Sequence, residues 1–259
     1  MPRSIELLLC SLPGRRALEF AERITKRLLT RANHDTLSRV NKVEPIKSVL
    51  LAVGSVEERH TATEFDPLAK VEPDAARRLL QSALQKFAAV GYHATTTREI
   101  SLGAGMSPAA LYVHYPSKEA MLFQLSLLGH ESVLHAMQES AKKQRNPSGR
   151  VRSVVKALTV WHCLHISLGR VAQYELDALT EEHHAVISAI RRAIQQSMEA
   201  EIELGVVTGE FDVSSAHDAS RAIMALGVDV VRWYRANRRL TPESLASNYA
   251  ELALRMLRP

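Results

Sequence analysis

Two cysteines, Cys10 and Cys163, stand far apart in a chain of 259 residues. They supply neither a disulfide framework nor a thiolate metal cage, which suits a reducing, cytoplasmic setting. Aromatic residues are only 5% of the chain, and glycine and proline number 11 and 10. That scarcity disfavours a sheet-rich fold, and no stretch alternates polar and apolar residues at strand period. Long apolar runs are missing too. Nothing approaches the roughly 18–20 residues of a membrane span, and Ile5–Cys10 is too short for the core of a secretion signal. The marks of common catalytic machinery are also absent: no glycine-rich phosphate loop, GxGxxG, GxSxG or HExxH, and no carboxylate pair at informative spacing. These absences point away from an enzyme. Charge is the mild exception: Lys and Arg number 33 against 28 Asp and Glu, a net +5, which permits contact with nucleic acid without demanding it.

What is present is helical periodicity. Residues 1–72 are the least regular part. Arg15–Ala32 reads as a basic amphipathic helix with Ala17, Phe20, Ala21, Ile24 and Leu28 on one face. After it, Pro45, Gly54 and Pro67 interrupt every pattern. Three readings stay open for this extension: a flexible tail, an accessory arm, or a start codon that truly lies downstream. From Pro73 onward the helical signal is continuous. Asp74 is placed to cap a helix whose face is Ala76, Leu80, Ala83, Leu84 and Phe87, and Gly91 is placed to stop it. A longer helix runs from Ser117 to about Lys143, until Asn146-Pro147-Ser148-Gly149 breaks it. Val151–Leu168, Val171–Leu179 and Glu181–Leu204 follow. Ser214 or Ser215 opens the next, to about Asn237, and Thr241-Pro242-Glu243 opens the last. The fold class expected is all-α.

The segment Thr96–Lys118 carries the functional signal. Thr96 and Glu99 form a capping box. The helix they start is short, because Gly103 and Gly105 follow, and Ala104-Gly105-Met106 makes a tight turn that brings two helices close. Ser107 caps the next helix, with Pro108 at its first position and Leu111 facing inward. Two short helices joined by a glycine turn are a helix-turn-helix, whose second helix reads DNA. Ala109 and Ala110 keep the front of that helix thin enough for a major groove about 12 Å wide. Thr96 and Ser107 present helix N-termini to phosphates. Tyr112, Tyr115 and Lys118 offer hydroxyls and a charge to backbone oxygens. The same shape also serves plain packing.

The runs Gly91–Ile100, Ala104–Ser107 and Leu111–Glu119 resemble the TetR signature almost position for position. Small departures are Thr97 for a usual valine, Ser101 for alanine and Tyr115 for phenylalanine. The resemblance covers Pro73–Leu122. It implies a three-helix DNA-binding domain over residues 73–122 and a ligand-binding and dimerisation body over 123–259, behind the extension 1–72. It also implies a homodimer on an inverted repeat of double-stranded DNA. Thr96, Ser107, Pro108, Ala109, Tyr112, His114, Tyr115 and Lys118 are then the DNA-facing candidates.

The body speaks less clearly. Trp161, His165, Tyr174, Met224 and Trp233 are candidates for an effector pocket of apolar walls and few polar groups, although each also reads as an ordinary core residue. His162-Cys163-Leu164-His165 lacks a clear third metal ligand, so no metal is expected, and a metal sensor or a helical interaction module is the alternative. The pattern from Trp233 to Arg255 resembles TetR regulators of lipid and sterol catabolism in actinobacteria, which implies a hydrophobic effector such as an acyl-CoA thioester. Arg170, Arg191, Arg192, Arg232 and Arg235 are then candidates for its phosphates. Two apolar stripes, Ile223–Tyr234 and Leu245–Leu257, read as a dimer interface, with part of each also reading as burial inside the subunit.

Overall fold

The computed structural model describes residues 66–235 and 240–258. Every reading of residues 1–65 lies outside them. Within the described residues the chain forms ten α-helices: α1 Asp74–Val90, α2 Thr97–Gly103, α3 Pro108–His114, α4 Lys118–Lys142, α5 Pro147–Leu164, α6 Ile166–Tyr174, α7 Glu181–Val207, α8 Ala216–Val228, α9 Val230–Trp233 and α10 Pro242–Leu257. A 3₁₀ turn, Leu176–Ala178, joins α6 to α7.

Local chemistry starts most of them. The side chains of Thr96, Ser107, Ser117, Asn146, Thr180, Ser215 and Thr241 each accept a backbone N–H in the first turn of the helix they precede, which satisfies a donor the helix itself cannot. The first helix differs from expectation. Pro73 occupies the N-cap with no side-chain bond, and Asp74 is the first helical residue. Its carboxylate pairs instead with Arg77 and Arg78.

Helices α1 to α3 and the start of α4 make a small head, and α4 continues into the body. The body is organised around α5, which packs against α4, α7, α8 and α10. Val151, Val154, Val155, Leu158, Thr159 and His162 repeat at helical spacing and are almost wholly buried, each large aliphatic side chain contributing roughly 2 kcal/mol of transfer free energy. A two-pronged salt bridge from Arg150 to Glu201, at 2.5 and 2.7 Å, ties α5 to α7.

Two boundaries moved. The break expected between Leu168 and Val171 falls at His165, whose backbone is non-helical. Gly169 sits inside α6, where a Cβ would come within 2.8 Å of Val231 Cγ1. The helix after Ser215 ends at Val228 and resumes as α9. The expected dimer stripes are mostly consumed inside the subunit: Ile223, Met224, Val230, Val231, Tyr234, Leu245 and Leu257 are buried. The reason is that α8 and α10 both pack on α5 and on each other. Leu252 and Met256, one turn apart on α10, remain exposed.

Candidate nucleic-acid interface and effector cavity

The head is built to present the outer face of α3. Thr96 Oγ1 accepts the Glu99 N–H at 3.2 Å while the Glu99 carboxylate accepts the Thr96 N–H at 2.8 Å. Those bonds hold the Glu99 carboxyl below its usual range. Ser82 on α1 donates to the Ile100 carbonyl at 2.8 Å, and Arg78 donates to that of Ala104 at 3.3 Å, so α1 grips both α2 and the turn. In the turn the glycines divide the labour. Gly105 supplies a φ of +69°, which side chains rarely adopt. Gly103 supplies the close approach, because a Cβ there would run into Ser82 Oγ.

Ser107 caps α3 by accepting the Ala110 N–H at 3.2 Å, and Leu111 is fully buried. Ser107, Pro108, Ala109 and Tyr112 are exposed and His114 is half-buried. Tyr112 is 54% exposed, and its hydroxyl lies 3.2 Å from Thr97 Oγ1, which orients the ring from α2. The sequence reading passed over Val113, which is 79% exposed on the same helix. Its signal is simple: a β-branched apolar residue on the outward side of a reading helix suits a thymine methyl.

Two expected DNA-facing side chains point elsewhere. Tyr115 is buried, and its hydroxyl donates to the Ala76 carbonyl at 3.3 Å; burial pushes its phenol up to about 12. Lys118 folds back over the Tyr92 ring, 4.2 Å from its centroid, and donates to the carbonyls of Tyr92 and Thr95 at 2.7 Å each. Its ammonium pins the loop between α1 and α2, and desolvation lowers its pKa.

The head meets the body along α6 and the start of α7. α1 packs on α6. Glu175, just past α6, accepts the Tyr92 N–H at 3.3 Å. Glu119 accepts from the Thr180 N–H at 3.1 Å and contacts His183 Nδ1 at 2.7 Å, with the His183 ring stacked 3.8 Å from that of Phe123.

The five expected pocket residues do not surround one cavity. Tyr174 and Trp233 are 55% and 43% exposed, and Met224 is packed in the core. His165 lines an open groove of about 250 Å³ between Asp66–Leu68, Leu84 and the start of α6. Trp161 lines a separate small cavity of about 10 Å³ between α4, α5 and α6, with Gly129, His130, Val133, His162, Gly169, Ala172 and Gln173. Burial pushes both His130 and His162 down to about 4, so both are neutral at ordinary pH. His130 escaped the sequence reading, although a polar residue on the apolar stripe Met121, Leu122, Leu125, Gly129, Val133 is a visible anomaly. Among the described residues no cluster of three or more His, Cys, Asp or Glu is placed to hold a metal ion, and no helix is long and apolar enough to cross a membrane.

Comparison with known proteins places this geometry. Residues 74–125 match the family model described as bacterial regulatory proteins, tetR family, and residues 144–257 match the tetracyclin repressor-like C-terminal domain. A bacterial regulatory protein in the tetR family from Rhodococcus RHA1 is 41% identical, with a TM-score of 0.69, over 72% of this chain and 98% of that one. The HTH-type transcriptional repressor KstR2 of Rhodococcus jostii is 26% identical over 183 residues, 68% of this chain and 87% of that protein. AibR, solved in complex with isovaleryl coenzyme A and operator DNA, shares the fold at a TM-score of 0.64 and 21% identity, over 69% of this chain and 97% of that one. With a capped helix-turn-helix at one end and an all-helical body behind it, the chain belongs to the tetR family of DNA-binding transcriptional regulators.

Proposed function

We propose that the protein is a homodimeric repressor that binds an inverted-repeat operator through α3 and releases it when a hydrophobic acyl thioester enters the body. The observation that carries the ligand response is the position of α6. One side of this short helix, through Gly169, Ala172 and Gln173, walls the cavity; α6 also packs on α1 of the head, and its end reaches Tyr92 through Glu175. The cavity is near the size of a single water, so a larger occupant has to move a wall. Displacement of α6 changes the seat of the head. Ligand then favours a head spacing that does not fit two half-sites about 34–36 Å apart.

Pro108, Ala109, Tyr112, Val113 and His114 are the proposed reading face. Thr96, Ser107 and Lys118 belong to its support, the first two also lying close to the backbone phosphates. The dimer is proposed to form on Leu252 and Met256 of α10 beside Ala222 and Ala225 of α8, which are exposed on two helices that touch. The acyl thioester is supported by the AibR complex and by Arg191, which holds Gln173 at 2.8 Å on the cavity wall and offers a cation for phosphate. Such a regulator works in the bacterial cytoplasm and needs no catalytic group.

The test is an electrophoretic shift with inverted repeats found beside the gene, titrated with long-chain, branched and sterol-derived CoA thioesters and their free acids. A coupling of about 1–3 kcal/mol lowers operator affinity roughly 5–150-fold at saturation. Failure to bind any inverted repeat as a dimer overturns the repressor. Release by a metal or a small polar molecule, with thioesters inert, overturns the effector assignment alone.

A further inference from the structure

The cavity between α4, α5 and α6 is lined by hydrogen-bond acceptors whose own donors are already spent. His130 Nδ1 lies 2.8 Å from the Ser126 carbonyl and His162 Nδ1 lies 2.8 Å from the Leu158 carbonyl. A carbonyl only accepts, so in both neutral rings Nδ1 carries the proton and Nε2 keeps a bare lone pair. The Trp161 indole N–H is occupied by Ser132 Oγ at 3.0 Å, and the Ser132 hydroxyl in turn donates to the Gly129 carbonyl at 3.0 Å. Two buried polar atoms are left over: His130 Nε2 and Ser126 Oγ have no hydrogen-bond partner among the described residues. His130 is only 4% exposed. Its Nδ1 is held against its own helix, which leaves Nε2 on the opposite edge of the ring, and His130 is one of the residues that line the cavity. An unpartnered buried acceptor costs free energy in a folded protein and commonly marks a working site.

One lining residue is tied to a cation. Gln173 Oε1 accepts from Arg191, which leaves the Gln173 amide nitrogen as a donor on the side where that cation stands. The seam between α4 and α6 is made of small residues: a Cβ on Gly129 would lie 3.4 Å from Leu168 Cγ and 3.6 Å from Ala172 Cβ.

We propose that the part of the effector that reaches this cavity carries a hydrogen-bond donor, a hydroxyl on an otherwise apolar skeleton, received by His130 Nε2. This deepens the reading of the body as an effector-binding half and rests on it. A carboxylate brings lone pairs and charge to bare lone pairs and is rejected at this depth. A carbonyl or ester finds no donor from the two imidazoles, and the Gln173 amide is the donor left to it on the lining.

The test uses the full chain carrying Trp233→Phe, so that Trp161 is the sole indole and its emission reports the cavity. Three probes of equal chain length are titrated at pH 8: 1-decanol, methyl decanoate and sodium decanoate. The alcohol is expected to perturb Trp161 and to bind about 10-fold more tightly than the ester, with the carboxylate weakest, since one buried hydrogen bond is worth roughly 3- to 10-fold and an unpaired carboxylate costs more. His130→Leu is expected to erase the alcohol's preference without lowering the melting temperature, because it removes an unpartnered buried group. His130→Gln, which restores an acceptor oxygen, is expected to regain part of that preference. Equal binding of ester and alcohol, no binding of the alcohol, or a preference that survives in His130→Leu overturns the proposal. So does tight Zn²⁺ binding lost in His130→Leu. An operator shift run in parallel judges the repressor separately, since it needs none of these probes.

Discussion

The head and the body of this protein are both helical, yet they hold their functional groups in opposite ways. The head uses short-range devices. Thr96 with Glu99, Ser107 with Ala110 and Ser117 with Ala120 are pairs three residues apart, and they set α2, α3 and α4 in sequence. The result is an exposed face on a locally braced frame. The body uses long-range packing. His130 on α4, Trp161 and His162 on α5 and Gln173 on α6 meet at one cavity, and both histidines there are buried and neutral. Surface recognition of DNA needs exposed donors on a rigid frame, whereas selection of an apolar ligand needs desolvated polar atoms in small number. The two regions are joined by α6, which is why a change in one is felt in the other.

Acid should separate them most strongly. His130 and His162 fall from an unfolded value near 6.5 to about 4 in the folded body. The unfolded chain therefore binds more protons below pH 6.5, so stability present above that pH is lost as pH falls toward 4. The loss is about 3 kcal/mol per histidine. Urea unfolding followed by Trp161 fluorescence should show it, and His130→Leu should remove about half. In the head, Lys118→Ala is the sharper perturbation, because the ammonium holds the carbonyls of Tyr92 and Thr95. Equal acid sensitivity in wild type and His130→Leu would break the comparison.

Lys118→Ala should cost about 2 kcal/mol of head stability, since it removes two hydrogen bonds from a charged donor. Operator affinity should fall for all sequences alike. The slope of affinity against salt should stay close to wild type, because the ammonium is committed to carbonyls. A slope flattened by a full unit would instead return Lys118 to the phosphate backbone. Ser107→Ala should cost about 1 kcal/mol and weaken operator binding by loosening the start of α3, measured by melting and by shift assay. Tyr115→Phe should have the smallest effect, under about 1 kcal/mol, with operator affinity unchanged at 25 °C. Loss of binding by a stably folded Tyr115→Phe would show that the hydroxyl faces DNA after all.

Legibility followed the same division. The capping box, the Gly105 turn, the Ser107 and Ser117 caps and the Pro108 start were readable because each involves residues within one helical turn. Tyr115 and Lys118 were misread because their partners, Ala76, Tyr92 and Thr95, lie 39, 26 and 23 residues away. Spacing on a helix says which residues share a face; it does not say whether that face meets solvent or another helix. Gly169 shows the same limit, since a glycine beside a predicted break is in fact a contact point for Val231. The stripes on α8 and α10 were seen as apolar, but how much of each is used inside the subunit was not legible, because α5 covers most of both.

Sequence by itself determined the helical class, the order of the elements and the location of the helix-turn-helix, since hydrophobic period and capping act between near neighbours in the chain. Tertiary structure alone decided which side chains of the head remain free, and that His130, His162 and Trp161 converge on a cavity walled by α6. Those outcomes depend on which helix faces cover one another, and burial, which strips water from an imidazole and leaves its lone pair unmet, is a property of the packed assembly and not of any local run of residues.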